Sequence, residues 1–401
     1  MKEQTIYIHI GMPKTGTSSI QALLYENRDQ LLELGYYYPD SQVFAPLKIS
    51  SGNAVELYSL LSERRYLEVE EMFIKFLEKS KDCILSSESL FFLDDDISEA
   101  LFNILDNFNY KFILYIRDFS EYMSSSYAQL IKTSDELREF SECYKQFSEP
   151  ICKKIIFYID KLKDKLIIRA YDSNIDVCKD FLSILNINSL TDNEKLDSKI
   201  NISFSNELTE YLRLFNLQMK NITDLDNVVK IKGELFVILA EYSSIYQSRK
   251  RSLFCTKQES IEINDIFSPA LELIYKEYGI KINTHKKHSY LETPQKAILN
   301  NDTIREINSF IFHRFFELDF ELDNLVAEIF PMAKIFSLIN KHELALMEKN
   351  NQLAEKDVQL TEKSYQLAEK ELEIQAILKS NSWKITKPIR AIIRKLKSIF
   401  Y

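Results

Sequence analysis

The chain has 401 residues, a formal net charge of −9, 45% hydrophobic and 12% aromatic side chains. This excludes a disordered polypeptide and, through the acidic balance, a general nucleic-acid binder, so any basic site must be local. The length suits one catalytic domain with an appendage better than two equal halves. Five cysteines are scattered without a C-x-x-C pair, which reads as reduced, mostly buried thiols in a cytoplasmic protein. The five histidines form no ligand cluster beyond the weak pair His285 and His288, and no metal is expected there. No signal peptide opens the chain, and no apolar run approaches the ~20 residues of a spanning helix.

Thr5 to Ile10 reads as a buried parallel strand, and Gly11 to Gly16 as a tight turn holding two of the six glycines. A helix is predicted from Thr17 to just before Gly35, burying Ile20, Leu23, Leu24 and Leu31. Strand, glycine turn and helix N-terminus together form an anion site, with Lys14, Thr15, Gly16, Thr17 and Ser18 as its residues. A Walker A loop would need lysine at position 17, where Thr17 stands. The lysine instead precedes the second glycine, in Pro13-Lys14-Thr15-Gly16-Thr17-Ser18.

Gln42 to Asn53 is a Ser-, Gly- and Pro-containing loop, followed by a helix from about Val55 to Lys79. A second strand, Asp82 to Ser87, ends on Glu88, at the carboxyl edge where ligands of open parallel sheets bind. Glu88 there is either a general base for a hydroxyl or a local cap or ion-pair partner. Asp94-Asp95-Asp96 reads as a solvated helix start rather than a Mg²⁺ site. A third strand, Lys111 to Ile116, ends on Arg117, and a helix from Ser120 to about Lys132 follows. Tyr122, Ser125 and Gln129 share a face of that helix, so Arg117 and Ser125 can converge on one phosphate monoester.

The Pro-Lys-Thr-Gly-Thr-Ser turn, the Ser86-Ser87-Glu88 strand end and the eight-residue interval from Arg117 to Ser125 resemble one family, the sulfotransferases that use 3′-phosphoadenosine 5′-phosphosulfate (PAPS). The resemblance is to their bacterial carbohydrate members and covers roughly residues 1–280. It implies an α/β fold with a P-loop-like parallel sheet flanked by helices. It also implies PAPS as donor substrate, in-line sulfuryl transfer without a divalent metal, Lys14 and Glu88 as catalytic residues, and Lys14, Thr15, Gly16, Thr17, Ser18, Arg117 and Ser125 as the donor site. A fourth strand is expected over 165–172, before a helix through Phe181 and Leu182. Ser203 or Ser205 is the expected N-cap of a helix from Glu207 to Phe215. Many relatives close the 3′-phosphate site with Arg-Lys-Gly; the nearest segment here, Arg249-Lys250-Arg251, lacks the glycine and reads equally as a solvated basic run. Segment 206–278 is predicted mostly helical and is expected to shape the acceptor pocket.

The domain reading is a sulfotransferase domain at 1–285, a helical connector at 286–340 broken near Pro331, a long helix or weak coiled coil at 341–380, and a basic amphipathic tail at 381–401. Gln352-Leu-Ala-Glu-Lys opens a seven-residue repeat with Leu353, Leu360, Leu367 and Ile374 as one stripe, but its second seam is polar, so 341–380 is a spacer or oligomerisation arm. The tail from Lys384 to Tyr401 puts isoleucines on one face and lysines and arginines elsewhere, as an interfacial helix on an anionic membrane or as a helix packed on protein. Its Ser382-Trp383-Lys-Ile-Thr-Lys-Pro388 start resembles tails of bacterial surface-polysaccharide glycosyltransferases, which implies a glycan or glycolipid acceptor at the inner face of the membrane. The competing readings are a P-loop-type nucleotide kinase and a non-catalytic nucleotide-binding membrane scaffold.

Overall fold

The computed structural model describes residues 4–317, apart from 41–51, 80–81, 173–174, 189, 191–203, 221–224, 247–251, 283–288, 293–294 and 296–297, together with scattered positions beyond 348. It divides into two compact units, Met1–Asp319 and Phe320–Tyr401.

The first unit is α/β. Its elements in order are β1 (Thr5–His9), α1 (Thr17–Glu26), α2 (Arg28–Glu33), β2 (Tyr36–Tyr37), α3 (Val55–Ser62), α4 (Tyr66–Leu77), β3 (Asp82–Ser86), α5 (Asp95–Leu105), β4 (Asn109–Ile116), α6 (Phe119–Thr133), α7 (Phe140–Leu162), β5 (Leu166–Ala170), α8 (Val177–Ile184), α9 (Asn206–Met219), α10 (Leu225–Ile245), α11 (Lys257–Tyr278) and α12 (Asn301–Glu317). The five strands are all parallel, in the order β2-β3-β1-β4-β5. From β1 the chain runs first to the outer strand β2 and returns to β3 between them, then crosses to β4 and β5 on the other side, so the carboxyl end of β1 lies at the switch point where such sheets hold ligands. Register puts His9 beside Ser86 on one side and Ile113 on the other. One face packs Ile20, Leu24, Leu31, Ile84, Ile113 and Phe181 together. On aromatic pairs elsewhere in the core, Phe102 meets Phe112 edge-on and Phe91 stacks on Tyr158.

Two predicted helices are each broken in two. The first stops at Glu26, where the Asn27 side chain donates to the Leu23 carbonyl at 2.9 Å, and it restarts at Arg28. This leaves room for the short edge strand β2, which the sequence reading lacked. The second breaks between Ser62 and Tyr66, with Arg64 at φ 59 in the left-handed region. Apolar positions recur at helical spacing across both breaks, which hides them. β3 stops at Ser86, and Glu88 begins a 3-10 turn, Glu88–Phe92, two residues past the strand.

β2 flanks only Asp82 and Cys83 of β3. The rest of that edge is closed by Asn53, whose amide donates to the Ile84 carbonyl at 2.9 Å and accepts from the Ser86 N–H at 2.7 Å. Gly52, at φ 86, runs so close that a Cβ there would lie 1.8 Å from the Ser86 carbonyl oxygen.

Helices α9 and α11 form a cover on α6 and α7, whereas α8 packs on α1. Ser205 is the N-cap of α9, accepting from the Leu208 N–H at 3.3 Å. The ring of Phe119 stacks on Phe267 at 3.8 Å, and α11 ends at Gly279 in the left-handed conformation. A buried network ties this cover down. Arg213 and Glu210, 8% and 4% exposed, pair at 2.6 Å, and Arg213 also donates to the Leu137 carbonyl at 2.8 Å. Gln295 donates to Glu210 at 2.5 Å and to the Tyr127 hydroxyl at 2.8 Å, and accepts from the Phe140 N–H at 2.7 Å. On the far side, α12 buries Ile307 and Ile311, while Tyr211 donates to Asn308 at 2.7 Å and Tyr242 to Glu306 at 2.8 Å.

In the second unit, Lys349, Lys356, Lys363 and Lys370, one heptad apart, are each helical and exposed. The stripe Leu353, Leu360, Leu367 and Ile374, the break near Pro331, and nearly all of the basic tail lie outside the described residues, as do Arg249-Lys250-Arg251 and Ser203. Among the described residues no helix is long and apolar enough to cross a membrane. The five cysteines are free, and all but Cys178 are buried.

Candidate active site

The glycine turn is held by steric and hydrogen-bond constraints that explain its composition. The Ile10 N–H extends the sheet ladder to the Ile113 carbonyl at 3.1 Å. A Cβ on Gly11 would approach Thr17 Cγ2 to 2.4 Å and His9 Nε2 to 2.8 Å, so the backbone folds over the strand end only as glycine. Lys14 and Gly16 both take left-handed backbone, at φ 67 and 82. For lysine that is a strained conformation, of the kind that concentrates at functional sites. The Thr15 hydroxyl donates to the Met12 carbonyl at 2.6 Å, and its side chain is fully buried, so it braces the turn from inside. Gly16 is the N-cap of α1 and brings no side chain to its first N–H groups, and no acidic residue stands in the first turn. Ser18 is exposed there. A helix start with these features offers unscreened donors to an anion.

Three groups from other elements, Glu88 after β3, Arg117 after β4 and Gln129 on α6, meet this turn. The Thr17 hydroxyl donates to Glu88 Oε1 in a short contact. Arg117, 16% exposed, donates from Nη1 to the Lys14 carbonyl at 2.7 Å and from Nη2 to Glu121, and its guanidinium lies over the Tyr171 ring at 5.4 Å. Lys14 Nζ donates to Gln129 Oε1 at 2.9 Å. Glu121, Ser125 and Gln129 are spaced i, i+4 and i+8 on α6, one above another. Ser125 therefore occupies the turn between the one that meets Arg117 and the one that meets Lys14. The turn, Glu88, Arg117 and Ser125 all belong to one sheet edge.

The electrostatics are those of a partly desolvated cluster. Burial pushes the Glu88 carboxyl above its ordinary 4.5, against an opposing pull from Lys14. Burial pulls the Lys14 ammonium below its ordinary 10.5, helped by Arg117 and opposed by Glu88. His9, which the sequence reading did not single out, sits fully buried beneath the turn, and burial holds it neutral with a pKa of about 3. Its Nδ1 shares a 2.9 Å hydrogen bond with Ser86 Oγ, and its Nε2 has no hydrogen-bond partner. A histidine at the last strand position before the glycines was the one available signal.

One expectation changes. Arg117 reaches the right edge, but Glu121 and the Lys14 carbonyl hold its two ends, so it is not an open fork for a phosphate. An incoming phosphate must compete with the Glu121 carboxylate for Nη2. With 3′,5′-adenosine bisphosphate as the ligand that the PAPS resemblance implies, Glu121→Gln is accordingly expected to tighten binding by about three- to tenfold, since the competing charge is gone while the side-chain size stays; calorimetric titration of the two proteins compares them. A cavity of about 790 Å³ opens beside Lys14, and its lining residues come from the turn, from 91–96, and from α6 and α7; the segment 206–278, expected to shape an acceptor pocket, contributes none of them. Helix α9 packs on the other flank of α6, where Asn216 donates to the Ile131 carbonyl at 2.9 Å.

Asp95 and Asp96 on that wall pair with Lys154 and Arg64, both at 2.7 Å. Among the described residues no group of three or more His, Cys, Asp or Glu side chains is disposed to hold a metal ion. Comparison of the chain with protein-family models, curated proteins and solved structures gave no match.

Proposed function

We propose that this protein is a PAPS-dependent sulfotransferase. The observation that carries the reading is the meeting of Lys14, Glu88 and Arg117 around an uncapped helix start at the switch point of a parallel sheet. This geometry fits the 5′ end of the donor well: free N–H groups, the helix dipole and one lysine suit a phosphosulfate in a P-loop-like turn. For the 3′-phosphate, Arg117 has one buried Nε without a partner, and Ser125 lies one helical turn from Glu121.

In the proposed step the acceptor hydroxyl oxygen bonds to sulfur while the bond from sulfur to the 5′-phosphate oxygen breaks. Glu88 takes the hydroxyl proton, and the lysine and turn amides stabilise the charge that grows on the leaving bridging oxygen. Burial raises the basicity of Glu88, which suits it to proton abstraction. Thr17 orients the carboxylate. We further propose a carbohydrate acceptor, polymeric or lipid-linked, an anionic membrane surface as docking partner of 384–401, and self-association through 341–380. Those three proposals rest on the sequence of the tail and heptads.

The experiment is sulfuryl transfer from ³⁵S-labelled PAPS, combined with calorimetric binding of 3′,5′-adenosine bisphosphate. Lys14→Ala and Arg117→Ala are each expected to weaken that binding by about ten- to a hundredfold, the scale of one lost charge-assisted hydrogen-bond set. Wild-type protein that binds ATP and Mg²⁺ but not the bisphosphate refutes the reading in favour of a kinase.

A further inference from the structure

The cavity beside Lys14 has a chemistry at odds with a bare sugar. Its wall is dominated by Phe91, Phe92, Leu130, Phe140, Phe147 and Ile151. Several of its polar groups are already engaged with protein. The Tyr127 hydroxyl donates to the Arg138 carbonyl at 2.9 Å and accepts from Gln295 at 2.8 Å. Tyr122 is hydrogen-bonded to Ser126. Lys154 donates to Asp95 at 2.7 Å and to Ser98 at 3.1 Å. Gln129 holds Lys14. A saccharide placed here would surrender water from many hydroxyls for few new partners, whereas an apolar body gains from every contact. Pro150, inside α7, also lines the cavity and brings no N–H to it. The size falls in the range of pockets that enclose a molecule of drug-like dimensions.

Resting on the sulfotransferase reading, and narrowing its acceptor away from a bare or polymeric glycan, we infer that the acceptor is an amphipathic alcohol whose aryl or alkyl body fills this cavity and whose hydroxyl reaches the Lys14 end. A phenol has that chemistry, and so has a glycoside whose lipid or aryl aglycone fills the cavity while a sugar hydroxyl reaches Lys14. Transfer balances as before: the acceptor oxygen gains the sulfuryl group, the donor leaves as the 3′,5′-bisphosphate, and the hydroxyl proton passes to Glu88.

The test titrates 2-naphthol, octyl β-glucoside and glucose into full-length protein saturated with 3′,5′-adenosine bisphosphate. Binding of either apolar ligand at least about tenfold tighter than glucose supports the inference, and naphthol against octyl glucoside separates a phenol from a glycolipid. Phe147→Ala and Leu130→Ala, at partly exposed wall positions, are each expected to weaken that ligand severalfold while leaving bisphosphate affinity unchanged. Glucose binding as tightly as both apolar ligands, or no binding of any of the three, overturns the inference and leaves the donor reading standing. Failure of the bisphosphate itself to bind overturns both.

Discussion

Glu88→Gln is expected to lower kcat by about 10²–10⁴-fold, the range for removing a positioned general base, while bisphosphate affinity stays within about threefold. Glutamine keeps an oxygen that accepts from Thr17, so the turn survives and only proton abstraction is lost. The pH profile makes the assignment specific. The base must be deprotonated, so kcat/KM falls as pH drops through the Glu88 pKa, which burial has moved above the ordinary 4.5. Lys14 must be protonated, so activity also falls as pH rises through a pKa that burial has moved below 10.5. The bell is therefore narrowed from both sides. In the residual activity of Glu88→Gln the acid limb should vanish and the alkaline limb remain. An unchanged acid limb would assign the proton to another group.

Gly52→Ala is expected to destabilise the protein by about 2–5 kcal/mol, combining left-handed backbone strain with a clash in packed structure. The new Cβ would sit 1.8 Å from the Ser86 carbonyl oxygen and 2.7 Å from its carbon, both backbone atoms that move only with β3. That strand carries Ser86, the partner of His9, and leads directly into Glu88, so the damage should reach function as well as stability. Gly233→Ala is the control. It lies exposed within α10 with nothing within 4 Å of a new Cβ, and alanine there should stabilise by about 0.5–1 kcal/mol. Urea denaturation midpoints of the three proteins give the comparison. Equal midpoints for Gly52→Ala and wild type would show that segment 52–54 does not pin the edge of β3.

The two strand–turn–helix junctions were legible because each joins a compact apolar run to residues with unusual backbone or charge demands. Gly11, Gly16 and Lys14 on one junction, and Arg117 on the other, stand where local chemistry dictates. What escaped the sequence is tertiary. Asn53 completing the sheet edge depends on a side chain imitating a strand across 31 residues to Ile84. The broken helices keep their apolar period through Asn27 and Arg64, because both halves face the same core. The pairing of Arg117 with Glu121 at i+4 was available as spacing, yet its competition with a phosphate emerges only when the guanidinium is seen held at both ends. The cavity wall on α7 escaped because an amphipathic helix shows which face is apolar, not what that face encloses.

Gln295 lies beyond the point where the motif-bearing segment ends in sequence, yet it is wired to Tyr127 and Glu210 inside that segment. A chain cut at 285 would lose this amide and all of α12. It would strand the Glu210–Arg213 ion pair beneath a gap and uncover Tyr242 on α10, which meets Glu306 and Phe310 of α12. The smallest autonomous form of this α/β unit should therefore extend through Glu317, and shorter versions should be insoluble even with the glycine turn, Glu88 and Arg117 intact.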